Sequence, residues 1–106
     1  MEVKFFENEK TIILELLNYS NTKIFSLIAN ELSRKFDVKW KEKIDGFDER
    51  YWDFEANGMT LTLHLQHYLG IMIFAAKTNP KILEATQFLH EIGEHFQKWN
   101  PPVEEI

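Results

Sequence analysis

Two stretches of alternating apolar and polar residues flank an Asn57-Gly58 pair near the middle of the chain. A two-residue hairpin turn needs positive φ at both positions, and this pair adopts it readily. With that turn, one face of the hairpin pairs apolar residues: Trp52 with Leu63, Phe54 with Leu61 and Ala56 with Met59. The other face pairs Tyr51 with His64, Asp53 with Thr62 and Glu55 with Thr60. A shift of one residue would mix the two faces, so the pattern predicts a half-buried antiparallel sheet with one open face.

Three further segments have an apolar pattern that favours strands. Residues 2–6 and 11–17 predict one or two strands that could form a hairpin, with a short helix over 11–17 as the alternative. Residues 71–77 predict a strand that is buried on both faces. The length of the preceding turn decides whether this strand places Phe74 or Ile73 on the core face.

Residues 38–44 also alternate, with Val38, Trp40 and Ile44 on one face and three lysines on the other. Glu42 falls on the apolar side, which is typical of a strand at the edge of a sheet. The lysines are expected to form ion pairs with Asp53 and Glu55 on the neighbouring strand.

Two segments repeat apolar residues at helical spacing. The first predicted helix covers residues 21–35, and three candidate N-cap residues lie at its start: Ser20, Asn21 and Thr22. The second begins with Asn79 as N-cap and Pro80 in the first helical position, and it stops before Asn100. Its apolar stripe comprises Ile82, Ala85, Leu89, Ile92, Phe96 and Trp99.

These elements predict a two-layer α+β fold in a single domain, residues 1–106. We expect an antiparallel sheet of four to six strands with both helices packed on one face. The apolar face of that sheet is expected to contain Trp40, Trp52, Phe54, Leu61, Leu63 and Leu65. The last four residues, 103–106, are expected to fray.

Composition narrows the classes of function. The net charge of −5 opposes binding to nucleic acid or to an anionic membrane surface, and it would steer a basic protein partner toward the chain. The absence of cysteine excludes disulfides and thiolate metal sites. We find neither a signal-peptide pattern nor an apolar run that could span a membrane, and therefore expect a cytoplasmic location.

The sequence offers little to support catalysis or metal binding. His90 and His95 are five residues apart, so on a helix they point about 140° away from each other. His64 and His67 are three apart on a strand and fall on opposite faces, with His67 on the core side. We expect no enzymatic activity, no metal and no cofactor.

The strongest functional signal lies in residues 45–55, where five acidic residues and one arginine are interleaved with aromatic residues. Some of these aromatic side chains are expected to pack in the core, whereas Phe47 and Tyr51 are not. An aromatic residue among carboxylates, beside an open sheet face, is typical of a protein interface. We therefore predict that five residues bind a partner: Phe47, Asp48, Glu49, Tyr51 and Asp53. In the alternative, Phe47 folds back onto the sheet and the segment is a solvated loop.

The chain also resembles the small bacterial α+β proteins encoded beside polymorphic toxins, the immunity-protein class. The resemblance covers the whole chain and rests on size, acidity, the lack of cysteine and a set of sheet residues: Trp52, Phe54, Gly58, Leu63, Leu65, Gly70 and Ile71. It implies a non-catalytic inhibitor that binds a basic toxin domain. A small-molecule-binding domain and a homo-oligomeric structural protein are the two alternatives.

Overall fold

The computed structural model describes residues 1–102, in which six strands form one sheet and two helices pack against it. The strands are β1 Lys4–Glu7, β2 Thr11–Leu17, β3 Lys39–Asp45, β4 Glu49–Ala56, β5 Met59–Gln66 and β6 Gly70–Ala76. The helices are α1 Thr22–Phe36 and α2 Ile82–Gln97. All five strand pairs are antiparallel, in the order β1-β2-β6-β5-β4-β3. The predicted α+β fold is confirmed, whereas the fraying predicted for residues 103–106 lies outside the described residues.

The β4–β5 hairpin has the predicted register along its whole length, from the Glu49–Gln66 pair to Ala56–Met59. Asn57 and Gly58 have φ values of 52° and 77°, the left-handed conformation that this turn requires. Phe54 and Leu63 are fully buried on the helix-covered face. Local turn chemistry and the burial of one face therefore select the same pairing.

The N-terminal segments form the β1–β2 hairpin, and the helical alternative for residues 11–17 is wrong. Strand β2 pairs with β1 on one side and with β6 on the other. Leu14 and Leu16 face the helices and are buried. Two ladders of hydrogen bonds outweigh the weak helix propensity of leucine and glutamate in this segment.

Strand β3 lies at an edge of the sheet, as predicted, but the face assigned to Ile44 is wrong. A bulge shifts the β3–β4 register between Trp40 and Lys43. Lys43 therefore lies opposite Trp52 on the helix side, while Ile44 lies opposite Tyr51 on the open face and is exposed. An extra residue in one strand reverses the alternation beyond it. The Lys43 Nζ then sits 4.3 Å from the Trp52 ring centroid.

The turn between β5 and β6 contains three residues, 67–69, because Gln66 pairs with Gly70. A turn of this length places Ile73, and not Phe74, on the core face, where it lies opposite Leu63. Phe74 is half-buried on the open face, so burial on both faces holds for only part of β6. His67 falls in the exposed turn and not on the core side of a strand, which corrects its predicted position.

Helix α1 begins where the sequence predicts, because the Asn21 side chain accepts a hydrogen bond of 2.9 Å from the Ile24 N–H. Helix α2 begins later than predicted, at Ile82, with Lys81 in the cap position. Asn79 instead forms a tight turn, in which its side chain accepts a hydrogen bond from the Lys81 N–H.

The core lies between the helices and one face of the sheet. From α1 it includes Ile24, Phe25, Ile28 and Leu32, and from α2 it includes Ala85, Leu89, Ile92 and Phe96. Gly93 lets α2 approach β1 and β2 closely, since a Cβ atom there would lie 2.8 Å from the Phe5 ring. Within residues 1–102, no helix covers the opposite face of the sheet.

Candidate functional site

The segment predicted to bind a partner forms the tip of the β3–β4 hairpin. Asp45 pairs with Arg50, and the Gly46 N–H donates a 2.7 Å hydrogen bond to the Glu49 carbonyl oxygen. The connection between β3 and β4 therefore consists of residues 46–48, since Glu49 and Arg50 already belong to β4. Phe47 is fully exposed at the tip, so the alternative in which it folds back onto the sheet is wrong.

Three connections meet at this end of the sheet: residues 18–20 between β2 and α1, residues 46–48, and residues 67–69. The His67 N–H donates a 3.0 Å hydrogen bond to the carbonyl oxygen of Asp48. Gly70 lies directly against the backbone between Leu17 and Tyr19. We call these three connections together the turn end.

The turn end exposes several large apolar side chains. Phe47 is joined there by Tyr19, Tyr68 and Leu69, which are 53%, 82% and 57% exposed. These four residues are half of the eight large hydrophobic residues that are exposed in residues 1–102. Exposed apolar side chains gathered in one region commonly mark an interaction site.

The open face next to the turn end carries the other predicted residues. Glu49, Tyr51 and Asp53 alternate along β4 and share that face. Tyr51 stacks on His64 of β5 with ring centroids 4.2 Å apart and planes 13° apart. Asp53 accepts a 2.6 Å hydrogen bond from the Thr62 hydroxyl.

His64 is nearly buried although it lies on the open face. Tyr51 covers it on one side, and its Nε2 atom lies 3.3 Å from a Glu49 carboxylate oxygen. Burial lowers the pKa of His64, and the Glu49 carboxylate only partly opposes that effect. Burial also raises the pKa of Tyr51, and Glu49 acts in the same direction. Both rings are therefore neutral at pH 7, and Glu49 is the only charged member of this cluster.

Two of the acidic groups around the site lie close to a basic side chain. The Asp45 carboxylate lies 3.8 Å from the Arg50 Nε and accepts a hydrogen bond from the Trp52 indole. The predicted pairing of the β3 lysines is seen for Lys41, whose Nζ lies 4.0 Å from Glu55. Asp53 forms no ion pair within residues 1–102.

Comparison with known proteins gives one match, to the family described as "Protein of unknown function (DUF3630)", over residues 1–93. The chain belongs to the DUF3630 family. The matched range contains all six strands and most of α2, and with them every residue of the turn end. No curated protein and no solved structure matches this member of DUF3630 significantly.

The sequence points to one part of this candidate site and not to another. Phe47, Asp48, Glu49, Tyr51 and Asp53 follow one another from the hairpin tip along β4, and their role in binding stays a prediction. Tyr19, Tyr68 and Leu69 were not predicted, because only the strand order brings the three connections to the same end of the sheet. A signal for two of them existed: a tyrosine and a leucine in a tight turn cannot reach the core.

The histidines do not converge. His90 stacks on Phe5 of β1, whereas His95 contacts Glu31 of α1. Within residues 1–102, no three His, Cys, Asp or Glu side chains are grouped so that they could hold a metal ion. Neither helix of the described chain is long and apolar enough to cross a membrane.

A second polar cluster joins the two helices. Glu31 is nearly buried on α1, and Arg34 binds both of its carboxylate oxygens at 2.9 and 2.7 Å. His95 of α2 lies 2.5 Å from the same carboxylate. The hydrogen bonds from Arg34 lower the pKa of Glu31 to about 2 even though burial opposes this shift. The cluster binds α1 to α2 and is structural.

We expect Glu31→Gln to lower the free energy of unfolding at pH 7 by about 2 kcal/mol. The shift from 4.5 to about 2 corresponds to about 3 kcal/mol, which the solvent exposure of Arg34 reduces. Because the folded-state pKa is lowered, the stabilisation is complete above pH 4.5 and disappears as the pH falls toward 2.

Urea unfolding of the wild-type and Glu31→Gln proteins from pH 7 to pH 2.5 measures this effect. The difference in unfolding free energy between them should shrink as the pH falls. Glu94→Gln, at an exposed position on α2, is the matched control and should show no such change. A Glu31→Gln difference that stays constant across this pH range would contradict the assignment.

Proposed function

We propose that the protein is a non-catalytic cytoplasmic module that binds a basic protein partner. The contact surface consists of Phe47, Asp48, Glu49, Tyr51 and Asp53. The observation that carries this proposal is the complete exposure of Phe47 at a hairpin tip, directly followed in the chain by two acidic residues. The short closed turn holds this large apolar side chain in water. A partner that covers it lowers the free energy of the system, because apolar surface is removed from water.

The charge around Phe47 supports a basic partner. Asp48 is exposed, and Glu49 and Asp53 are half-buried on the adjoining open face. The Glu49 carboxylate lies 3.3 Å from the Nε2 atom of His64, and burial lowers the pKa of that ring, so that it is mostly neutral at pH 7. Carboxylates at such a surface attract lysine and arginine and raise the rate of association.

The inhibitor or immunity role implied by the sequence resemblance is the narrower form of this proposal. A protein that neutralises a basic toxin domain needs an acidic surface with an apolar anchor, which this site could supply. The family match assigns no function, so the immunity role stays a prediction.

We expect Phe47→Ala to shorten the lifetime of the complex at least about tenfold, and Asp48→Lys to slow its formation. Anchors that fill a pocket act mainly on dissociation, whereas rim charges act mainly on association. The partner is first captured from the native host and purified. Surface plasmon resonance then gives both rate constants for each variant.

Two variants at the other end of the molecule are matched controls. Leu83→Ala removes an exposed apolar side chain from α2, and Glu84→Lys makes the same charge change as Asp48→Lys. Both should bind like wild type. If the Phe47 and Asp48 variants also bind like wild type, the contact surface lies elsewhere. Circular dichroism checks that each variant is folded.

A further inference from the structure

The turn end has more exposed apolar surface than the proposed site uses. Tyr19, Tyr68 and Leu69 are all more than half exposed, and none of them belongs to the contact surface proposed above. Each lies in a different connection from Phe47, so the four side chains come from three separate parts of the chain. No single sequence motif links them; the fold alone brings them to one end of the sheet.

The backbone at the turn end is held firmly. The Gln66 side-chain oxygen accepts hydrogen bonds of 2.8 Å from the N–H groups of both Tyr68 and Leu69. The His67 N–H bonds to the neighbouring turn at Asp48, and the His67 ring packs edge-on against Tyr68. Side chains on turns that are already ordered lose little conformational entropy on binding. This is the property of an effective aromatic anchor.

The three connections and the residues that flank them directly are acidic, while the Arg50 guanidinium lies 3.8 Å from Asp45 and Met1, which carries the N-terminal ammonium, lines the same pocket as Tyr19. Residues 17–21, 45–49 and 66–70 contain three acidic residues, Asp45, Asp48 and Glu49, and no lysine or arginine. The connections at the opposite end of the sheet carry Lys10, Lys77 and Lys81 together with Glu9 and Asp37. The exposed apolar side chains of the turn end therefore lie next to carboxylates, with no lysine or arginine within the connections themselves.

We infer that Tyr19, Phe47, Tyr68 and Leu69 form one composite anchor that inserts into a concave apolar groove, edged by lysine or arginine, on the partner protein. This inference rests on the proposed function and extends it to the β2–α1 and β5–β6 connections. Hairpin tips project from a sheet, so their complement is a groove. The carboxylates of Asp48 and Glu49 meet basic residues at its edge.

Charge also decides against the two other occupants of such a surface. Aromatic and leucine side chains at loop tips can enter a membrane interface, but anionic lipid headgroups repel the three carboxylates. A second copy of the chain would bring like charges together at the same patch, which costs free energy. An apolar groove with a basic edge buries the apolar side chains and pairs the carboxylates with positive charge.

The experiment is site-specific photo-crosslinking of the full chain in its native host. The crosslinking amino acid p-benzoylphenylalanine replaces Tyr19, Phe47, Tyr68 or Leu83, one position at a time. Leu83 is the control, since it is 79% exposed but lies on α2 near the opposite end of the sheet. We expect one and the same protein to be crosslinked from positions 19, 47 and 68, and not from position 83.

The pattern of crosslinks separates the two proposals. A crosslink from position 47 without one from 19 or 68 overturns the composite anchor and leaves the proposed function intact. If no protein is crosslinked from positions 19, 47 or 68, both the composite anchor and the proposed function are overturned. Crosslinks to a second copy of the chain, or flotation of the wild-type protein with phosphatidylcholine–phosphatidylglycerol vesicles, also overturn the inference.

Binding measurements on the purified crosslinked partner complete the test. We expect Tyr68→Ser and Leu69→Ser each to shorten the lifetime of the complex at least about threefold, while Leu83→Ser leaves it unchanged. Circular dichroism and urea midpoints equal to wild type show that the variants fold. Lifetimes equal to wild type in folded Tyr68→Ser and Leu69→Ser would overturn the composite anchor.

Discussion

Replacing Gly70 with alanine should unfold the protein or lower its free energy of unfolding by more than about 4 kcal/mol. A Cβ atom at this position would lie 2.0 Å from the carbonyl oxygen of Leu17, which is backbone and cannot move aside as a flexible side chain could. The φ angle of 118° adds a second cost, because residues with a Cβ rarely adopt it. Urea unfolding followed by circular dichroism measures the effect.

Gly46→Ala is the matched control for this prediction. Gly46 also lies at the turn end, but a Cβ there would come only within 3.2 Å of the Glu49 carbonyl oxygen, and its φ is not in the positive region. We expect a cost of under about 1 kcal/mol for this variant. Similar urea midpoints for the two alanine variants would mean that β6 does not start against the β2–α1 connection.

Replacing Phe54 with alanine should lower the free energy of unfolding by about 3–5 kcal/mol, through lost burial and the cavity that remains. Phe54 is fully buried on the helix-covered face of the sheet, and its ring packs edge-on against Trp40. Thr62→Ala, on the open face, loses one hydrogen bond to Asp53 and should cost under about 1 kcal/mol. Urea midpoints in the reverse order would show that the two faces of the sheet are exchanged.

The elements that the sequence predicts correctly are those decided by local chemistry. Asn57-Gly58 determines the β4–β5 register, because turn type and side-chain alternation act on the same few residues. Asn21 defines the start of α1 for the same reason. The errors have non-local or geometric causes: the bulge in β3 moves Ile44 to the open face, and pairing with β6 decides that residues 11–17 form a strand.

The residues of the candidate site also differ in whether local sequence or strand order determines their position. Phe47 and Asp48 could be predicted because an exposed aromatic residue in an acidic segment stands out within a few positions of the sequence. Tyr19 and Tyr68 could not be grouped with them, because their proximity depends on the strand order β2-β6-β5-β4. The near-burial of His64 also depends on a cross-strand neighbour, Tyr51, and on the pairing of β5 with β6.

The central claim is that an acidic, aromatic surface at the turn end binds a basic protein. Its most direct test is the association rate constant of the wild-type protein with the crosslinked partner, measured by stopped-flow fluorescence over a range of salt concentrations. Attraction between opposite charges predicts a rate constant that falls by about tenfold or more between low and high ionic strength. A rate constant that is independent of salt, or that rises with it, would contradict the claim.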